Sequence, residues 1–221
     1  MRKIAIFLVL LVGFAAYSFA DTLYSIPMGI SRLYEQYPDY DYGRDLDGVH
    51  FDVALNHFPG NSSLGWFIRT SIGSSISGLE WNDTSLETVN VYSSMDLRIS
   101  AGVSYKLLSG SLIQVPVSFG PVVSNYREET YSYSYRGSSN GYFEAFNLGA
   151  LLDLSIVVNP YKRFTVVNGL TVIYDFLRFE RGFLDSDLRN ISNSTFKNVN
   201  YGALKVSYYF GVGLLFDNSS N

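Results

Sequence analysis

Between Ala203 and Phe216 the chain alternates two kinds of residue with a period of two. The even positions are Leu204, Val206, Tyr208, Phe210, Val212, Leu214 and Phe216; the odd positions are Ala203, Lys205, Ser207, Tyr209, Gly211, Gly213 and Leu215. Successive side chains on a strand point to opposite faces, so this segment predicts a strand with one apolar and one mostly small or polar face. It is far longer than an ordinary soluble strand of about 5–6 residues.

The same alternation recurs upstream. One face of Val91–Leu107 carries Met95, Leu97, Ile99, Ala101, Val103 and Tyr105; the other carries Ser94, Asp96, Arg98, Ser100, Gly102, Ser104 and Lys106. In Tyr142–Val158, Phe146, Leu148, Ala150, Leu152, Leu154, Ile156 and Val158 oppose Asn147, Gly149, Asp153 and Ser155. Eight strands are predicted: Leu23–Leu33, Val49–Phe58, Leu64–Ser75, Val91–Leu107, Ser111–Tyr126, Tyr142–Val158, Phe164–Glu180 and Val199–Phe216. Pro27 and Gly29 blur the first of them.

The connections alternate in length. Pro59–Ser63, Leu107–Ser111 and Asn159–Arg163 are short and rich in turn formers. Tyr34–Gly48, Ile76–Asn90, Arg127–Gly141 and Arg181–Asn198 are long and mostly polar, and are expected as loops. Long strands joined by alternating short turns and long loops predict an all-β fold: a closed, antiparallel, eight-stranded transmembrane barrel in up-and-down order. The long loops would face outside, and both termini and the short turns the periplasm. A soluble barrel with its apolar face inward is the competing closure. Against it, the polar face is dominated by Gly, Ser, Ala and Asn, whereas soluble exteriors are dense in Lys and Glu.

The ends and the composition sharpen this picture. Arg2 and Lys3 precede an apolar stretch, Ile4–Ala16, and Ser18-Phe19-Ala20 offers small residues for cleavage after Ala20. Residues 1–20 are thus expected to be a signal peptide and residues 21–221 the barrel domain. Later apolar runs are too short for a membrane helix; the best, Leu148–Val158, is interrupted by Asp153. Tyrosine (18) and phenylalanine (16) are abundant, as interfacial aromatic girdles require. The absence of cysteine excludes a disulfide scaffold, a thiol catalyst and a lipoprotein anchor. The net charge of −4 falls to −6 once Arg2 and Lys3 are removed, which does not suit a nucleic-acid partner.

Tyr209-Phe210-Gly211-Val212-Gly213-Leu214-Leu215-Phe216 resembles the terminal assembly signal of outer-membrane barrels, with Tyr209, Gly211, Leu214 and Phe216 in its slots. Asp217–Asn221 follow, where the aromatic often ends the chain. With the export signal and the strand count, the chain resembles the small eight-stranded family that includes OmpW, OmpX and the OmpA barrel; its Tyr- and Ser-rich loops are similar to those of small spirochaete outer-membrane proteins. The resemblance implies bacterial outer-membrane location, contact with outer-membrane lipid and recognition by the barrel-assembly machinery.

The candidate chemistry lies on the polar face. Asp52, Arg69 and Asp153 are expected at one height, and Asp96, Arg98, Asp175 and Lys205 at a higher one. Opposite signs at shared depth predict ion pairs across a narrow lumen. Either a selective pore or a salt-bridged plug would use such pairs; the plug is favoured because eight strands leave an interior just wide enough for side chains. Pro116 and Pro121 cannot donate to the ladder of a closed wall. They are expected to mark a bulge near the rim, the alternative being a lateral opening such as the resemblance to OmpW-type channels for small or apolar solutes implies. His50 is expected in the lumen near Asp52 and His57 near a short turn. Some eight-stranded barrels are lipid-modifying enzymes, but no serine is tied to His50 by spacing, so no catalytic residue is assigned.

No phosphate loop, zinc spacing or calcium loop is present, so no cofactor or metal is expected. The acidic Asp39-Tyr40-Asp41-Tyr42 reads as a solvated loop. Tyr131-Ser132-Tyr133-Ser134-Tyr135-Arg136 suits either a β-ribbon above the membrane or a surface for an external ligand or host surface. The leading functional expectation is a non-enzymatic surface barrel.

Overall fold

A computed structural model describes residues 20–216, apart from 38–41, 61, 83–84, 90, 135–136, 162, 184, 187–188, 191–192 and 200. Residues 1–19 of the expected signal peptide and the acidic Asp39–Asp41 lie outside the described residues. The strands are β1 (Ala20–Tyr37), β2 (Tyr42–Pro59), β3 (Leu64–Asn82), β4 (Ser85–Val89), β5 (Val91–Ser109), β6 (Ile113–Ser134), β7 (Gly137–Tyr161), β8 (Phe164–Phe183), β9 (Asp185–Ser186), β10 (Arg189–Asn190), β11 (Asn193–Val199) and β12 (Gly202–Phe216).

The eight long strands β1, β2, β3, β5, β6, β7, β8 and β12 pair antiparallel in that order, and β12 pairs back onto β1 to close the wall. One line of paired residues runs Ser25, Ala54, Arg69, Ser100, Val122, Gly149, Asp175, Ala203 and back to β1 at Glu35, ten positions beyond Ser25. That stagger tilts the strands by about 40° and makes a narrow cylinder. It also carries inward side chains from distant strands to a common level.

The apolar face points outward. Ile30 is 64% exposed and Val103 56%, whereas Asp52, Arg98 and Asp153 are buried. This excludes the soluble closure, in which the polar face would be wet. Inward apolar side chains form three small clusters. Leu23, Val157, Val167, Tyr209 and Leu215 sit near the short turns. Phe67, Val122, Leu151 and Ile173 fill the middle. Leu33, Leu46, Tyr126, Ala145, Tyr201 and Ala203 close the far end.

The strands run past their expected ends on one side only. At the short turns the boundaries agree to within about three residues. On the other side much of the expected loop sequence is strand: β3 and β4 form a hairpin, and β6 and β7 pair as far as Ser134 and Gly137. Beyond the apolar belt both faces of a strand carry polar residues, so the two-residue pattern fades while backbone pairing continues. The acidic Asp45 and Asp47 and the tyrosine-rich Tyr131–Ser134 therefore belong to β-ribbons. Pro27 does not interrupt β1, which pairs on both sides. There Gly211 faces Pro27, and a Cβ on Gly211 would fall 2.5 Å from the Pro27 Cα.

Candidate functional site

The closed wall packs its inward polar residues into ion clusters. Arg69 Nη1 donates to Asp153 Oδ1 at 2.7 Å and to Thr171 Oγ1 at 2.7 Å. Thr171 and Tyr209 also donate to Asp153, and the Arg69 guanidinium lies 4.7 Å from the Tyr209 ring centre. Asp52 stands 3.9 Å from Arg69 Nε and 3.7 Å from His50 Nε2. Closer to the ribbons, Asp96 Oδ2 accepts from Arg98 Nε at 2.7 Å and Lys205 Nζ at 2.8 Å, and Arg98 Nη1 reaches Asp175 at 3.1 Å. The structure thus brings together all seven charged residues expected in the lumen, in the two groups expected. Tyr209, part of the terminal pattern, is also buried against Arg69.

Two further clusters lie outside the seven charged residues expected in the lumen. Near the short turns Lys106 Nζ lies 2.6 Å from Asp21 and 4.4 Å from the Phe58 ring centre. At the ribbon end the fully buried Arg178 lies 2.7 Å from Glu35 and 3.1 Å from Glu180, with the Tyr201 ring centre 4.3 Å away. Arg178 was hidden by a bulge: Gly149 pairs with Asp175, but Leu148 pairs with Leu177. The extra residue reverses the phase, so odd positions face inward up to Asp175 and even ones from Arg178. Glu35 was hidden because β1 continues past Leu33.

Buried charges are stable only when paired and hydrogen-bonded; Arg69, Arg98 and Lys205 each donate to a carboxylate, while among the described residues Asp52 Oδ1 and Asp96 Oδ1 are buried without a hydrogen-bond partner. Between the Arg69 and Arg98 clusters, about 20 Å³ remains for the centre of a water molecule, bordered by His50, Asp52, Ser71, Ser207 and Lys205. That is room for a water, not for a solute. Among the described residues no three His, Asp or Glu side chains gather as metal ligands.

Pro116 sits at a register irregularity near the end of its strand, and Pro121 does not. Pro116 points inward beside a register shift between Lys106 and Leu108, near the short turns. Pro121 points outward at mid-wall, one residue from Val122, which pairs with Ser100 at the level of Arg69; β5 and β6 keep one register on either side of it. His50 points into the lumen beside Asp52, as expected. His57, near a short turn as expected, faces outward, hydrogen-bonded to Thr22 and 4.9 Å from the Trp66 ring centre. Within the terminal pattern Tyr209 and Gly211 face inward and Leu214 and Phe216 outward; Phe216 meets Tyr24 edge-on at 5.6 Å.

A closed eight-stranded wall, apolar outside and ion-paired within, is the fold of the small outer-membrane β-barrels. The outer membrane protein OprG from Pseudomonas aeruginosa aligns over 92% of this chain and 99% of that chain, with a TM-score of 0.54 and 10% identity. A major outer membrane protein from Thermus thermophilus aligns over 86% of this chain and 99% of that one, with a TM-score of 0.54 and 14% identity. At these identities the likeness is one of fold. No family model and no curated protein matches the sequence.

Proposed function

We propose that this protein is a non-enzymatic integral outer-membrane barrel whose lumen is a plug and whose ribbons act in envelope structure or external binding. The carrying observation is a continuous apolar belt on a closed wall around a lumen filled by paired charges. Such a belt is costly in water and stable in lipid, and a spanning strand needs only about 9–11 residues. In this reading the signal segment is removed after Ala20, the termini and short turns lie in the periplasm, and the ribbons project outside. The barrel-assembly machinery would recognise Tyr209, Gly211, Leu214 and Phe216. The burial of His50, beside a gap sized for water, supports a structural rather than catalytic role.

Planar-bilayer recording of refolded protein tests the plug. Little steady conductance is expected from the wild type. A large, stable conductance would overturn the plug and favour a channel for small or apolar solutes.

A further inference from the structure

On the outer wall at the ribbon end, three charged side chains converge. Arg127 on β6, Glu144 on β7 and Arg181 on β8 are cross-strand neighbours in one row. They occupy the phase that carries Val123 and Phe146 at the top of the apolar belt below them. Although it faces outward, Glu144 is only 3% exposed, because a guanidinium covers it from each side. Arg127 Nε and Nη2 both lie 3.1 Å from Oε1. Arg181 Nε and Nη2 lie 2.8 and 2.6 Å from Oε2. Asn125 Nδ2 also donates to Oε1, at 3.3 Å.

One carboxylate therefore orients two guanidiniums and leaves a local charge of about +1. Both arginine side chains remain roughly half exposed, at 51% and 42%, and among the described residues neither Nη1 has a partner. Arg181 is further held by the Phe196 ring, 4.7 Å away. Among the described residues, another ion group on the outer wall has the opposite balance: Arg32 lies between two carboxylates, 3.0 Å from Asp45 and 3.9 Å from Asp47. The positive site is thus local to the β6–β8 face.

We infer that Arg127 and Arg181 hold the phosphate of an anionic lipid headgroup, its acyl chains lying along the apolar wall beneath. A guanidinium offers two parallel donors to phosphate oxygens, and Glu144 sets the direction of both forks in advance. The position at the edge of the belt selects a lipid over a free anion, because only a lipid uses both the charge and the wall. This inference rests on the proposed membrane insertion.

The full chain, refolded into phosphatidylcholine vesicles containing a minor fraction of phosphatidylglycerol, is extracted gently, and its retained lipids are counted by native mass spectrometry. Phosphatidylglycerol should be enriched over its bulk fraction. Arg127→Gln and Arg181→Gln should each reduce that enrichment by about fivefold, and Arg32→Gln should leave it unchanged. The double Lys variant, which keeps the charge and disturbs the fold least, should keep part of it. Undiminished enrichment in both single variants overturns the inference. So does a thermal midpoint in detergent that rises as much with inorganic phosphate as with short-chain phosphatidylglycerol, which would mark a free-anion site. Heat-modifiable gel mobility, read on the same samples, reports membrane-barrel folding separately; its loss in the wild type would instead sink the membrane reading.

Discussion

Arg69 shows how one side chain ties several strands together. From β3 it reaches Asp153 on β7, Thr171 on β8 and Tyr209 on β12 across the lumen. Removing one partner of a buried pair costs more than removing both, because the survivor keeps its desolvation penalty. Arg69→Met should lower stability by about 3 kcal/mol, seen as a lower urea midpoint of the refolded barrel. Adding Asp153→Asn should recover part of that loss, and a strictly additive cycle would show that the pair is not coupled. Tyr209 depends on a glycine next door: a Cβ on Gly169 would lie 2.4 Å from its hydroxyl oxygen. The charged partners were legible from alternation and sign. Tyr209 was not, because an aromatic in a terminal pattern carries no sign to match.

At the scale of the strand, phase decides which side chains are inside. The bulge in β8 turns Arg178 and Glu180 inward, opposite to the parity set by Thr171 and Asp175. Deleting Phe176 should restore plain alternation and leave Arg178 and Glu180 inward, because Leu177 already pairs with Leu148 and Arg178 with Asn147. Retention of the heat-modifiable folded band is the expected result; its loss would mean that the bulge itself is needed to close the wall. Between strands, Glu144 links β6, β7 and β8. Burial raises its pKa, but hydrogen bonds from Arg181 and Asn125 and the charges of Arg181 and Arg127 outweigh burial and hold it below the ordinary 4.5. A depressed carboxylate pKa stabilises the fold fully above the unfolded value, and that contribution is lost as pH falls through the folded value. Both arginines are half exposed, so solvent screening limits the effect to about 1 kcal/mol or less. Glu144→Gln should therefore lower the unfolding midpoint at neutral pH and change it little at a pH well below 4.5. An equal loss at both would assign the effect to packing.

The whole molecule is a wall with two unlike ends. Short turns such as that at Gly60, whose φ is +55°, close one end, and long ribbons extend the other. Intact cells should label a cysteine at Ser138→Cys with an impermeant reagent, whereas Ser62→Cys should need permeabilised cells. The reverse result would invert the proposed orientation.

What the sequence determined by itself was the wall. A period of two needs only local backbone geometry, so eight strands, the outward apolar face and the charged inward residues could be read directly from the chain. The alternation of short turns with long polar segments placed one end of the barrel in the same way. The tertiary structure decided what depends on register. The stagger from Ser25 to Glu35 determines which distant side chains meet, and the bulge at Phe176 reverses which of them face inward. The row formed by Arg127, Glu144 and Arg181 exists only once three strands lie side by side. These are distances between residues far apart in sequence, and a local pattern holds no information about them until the barrel closes.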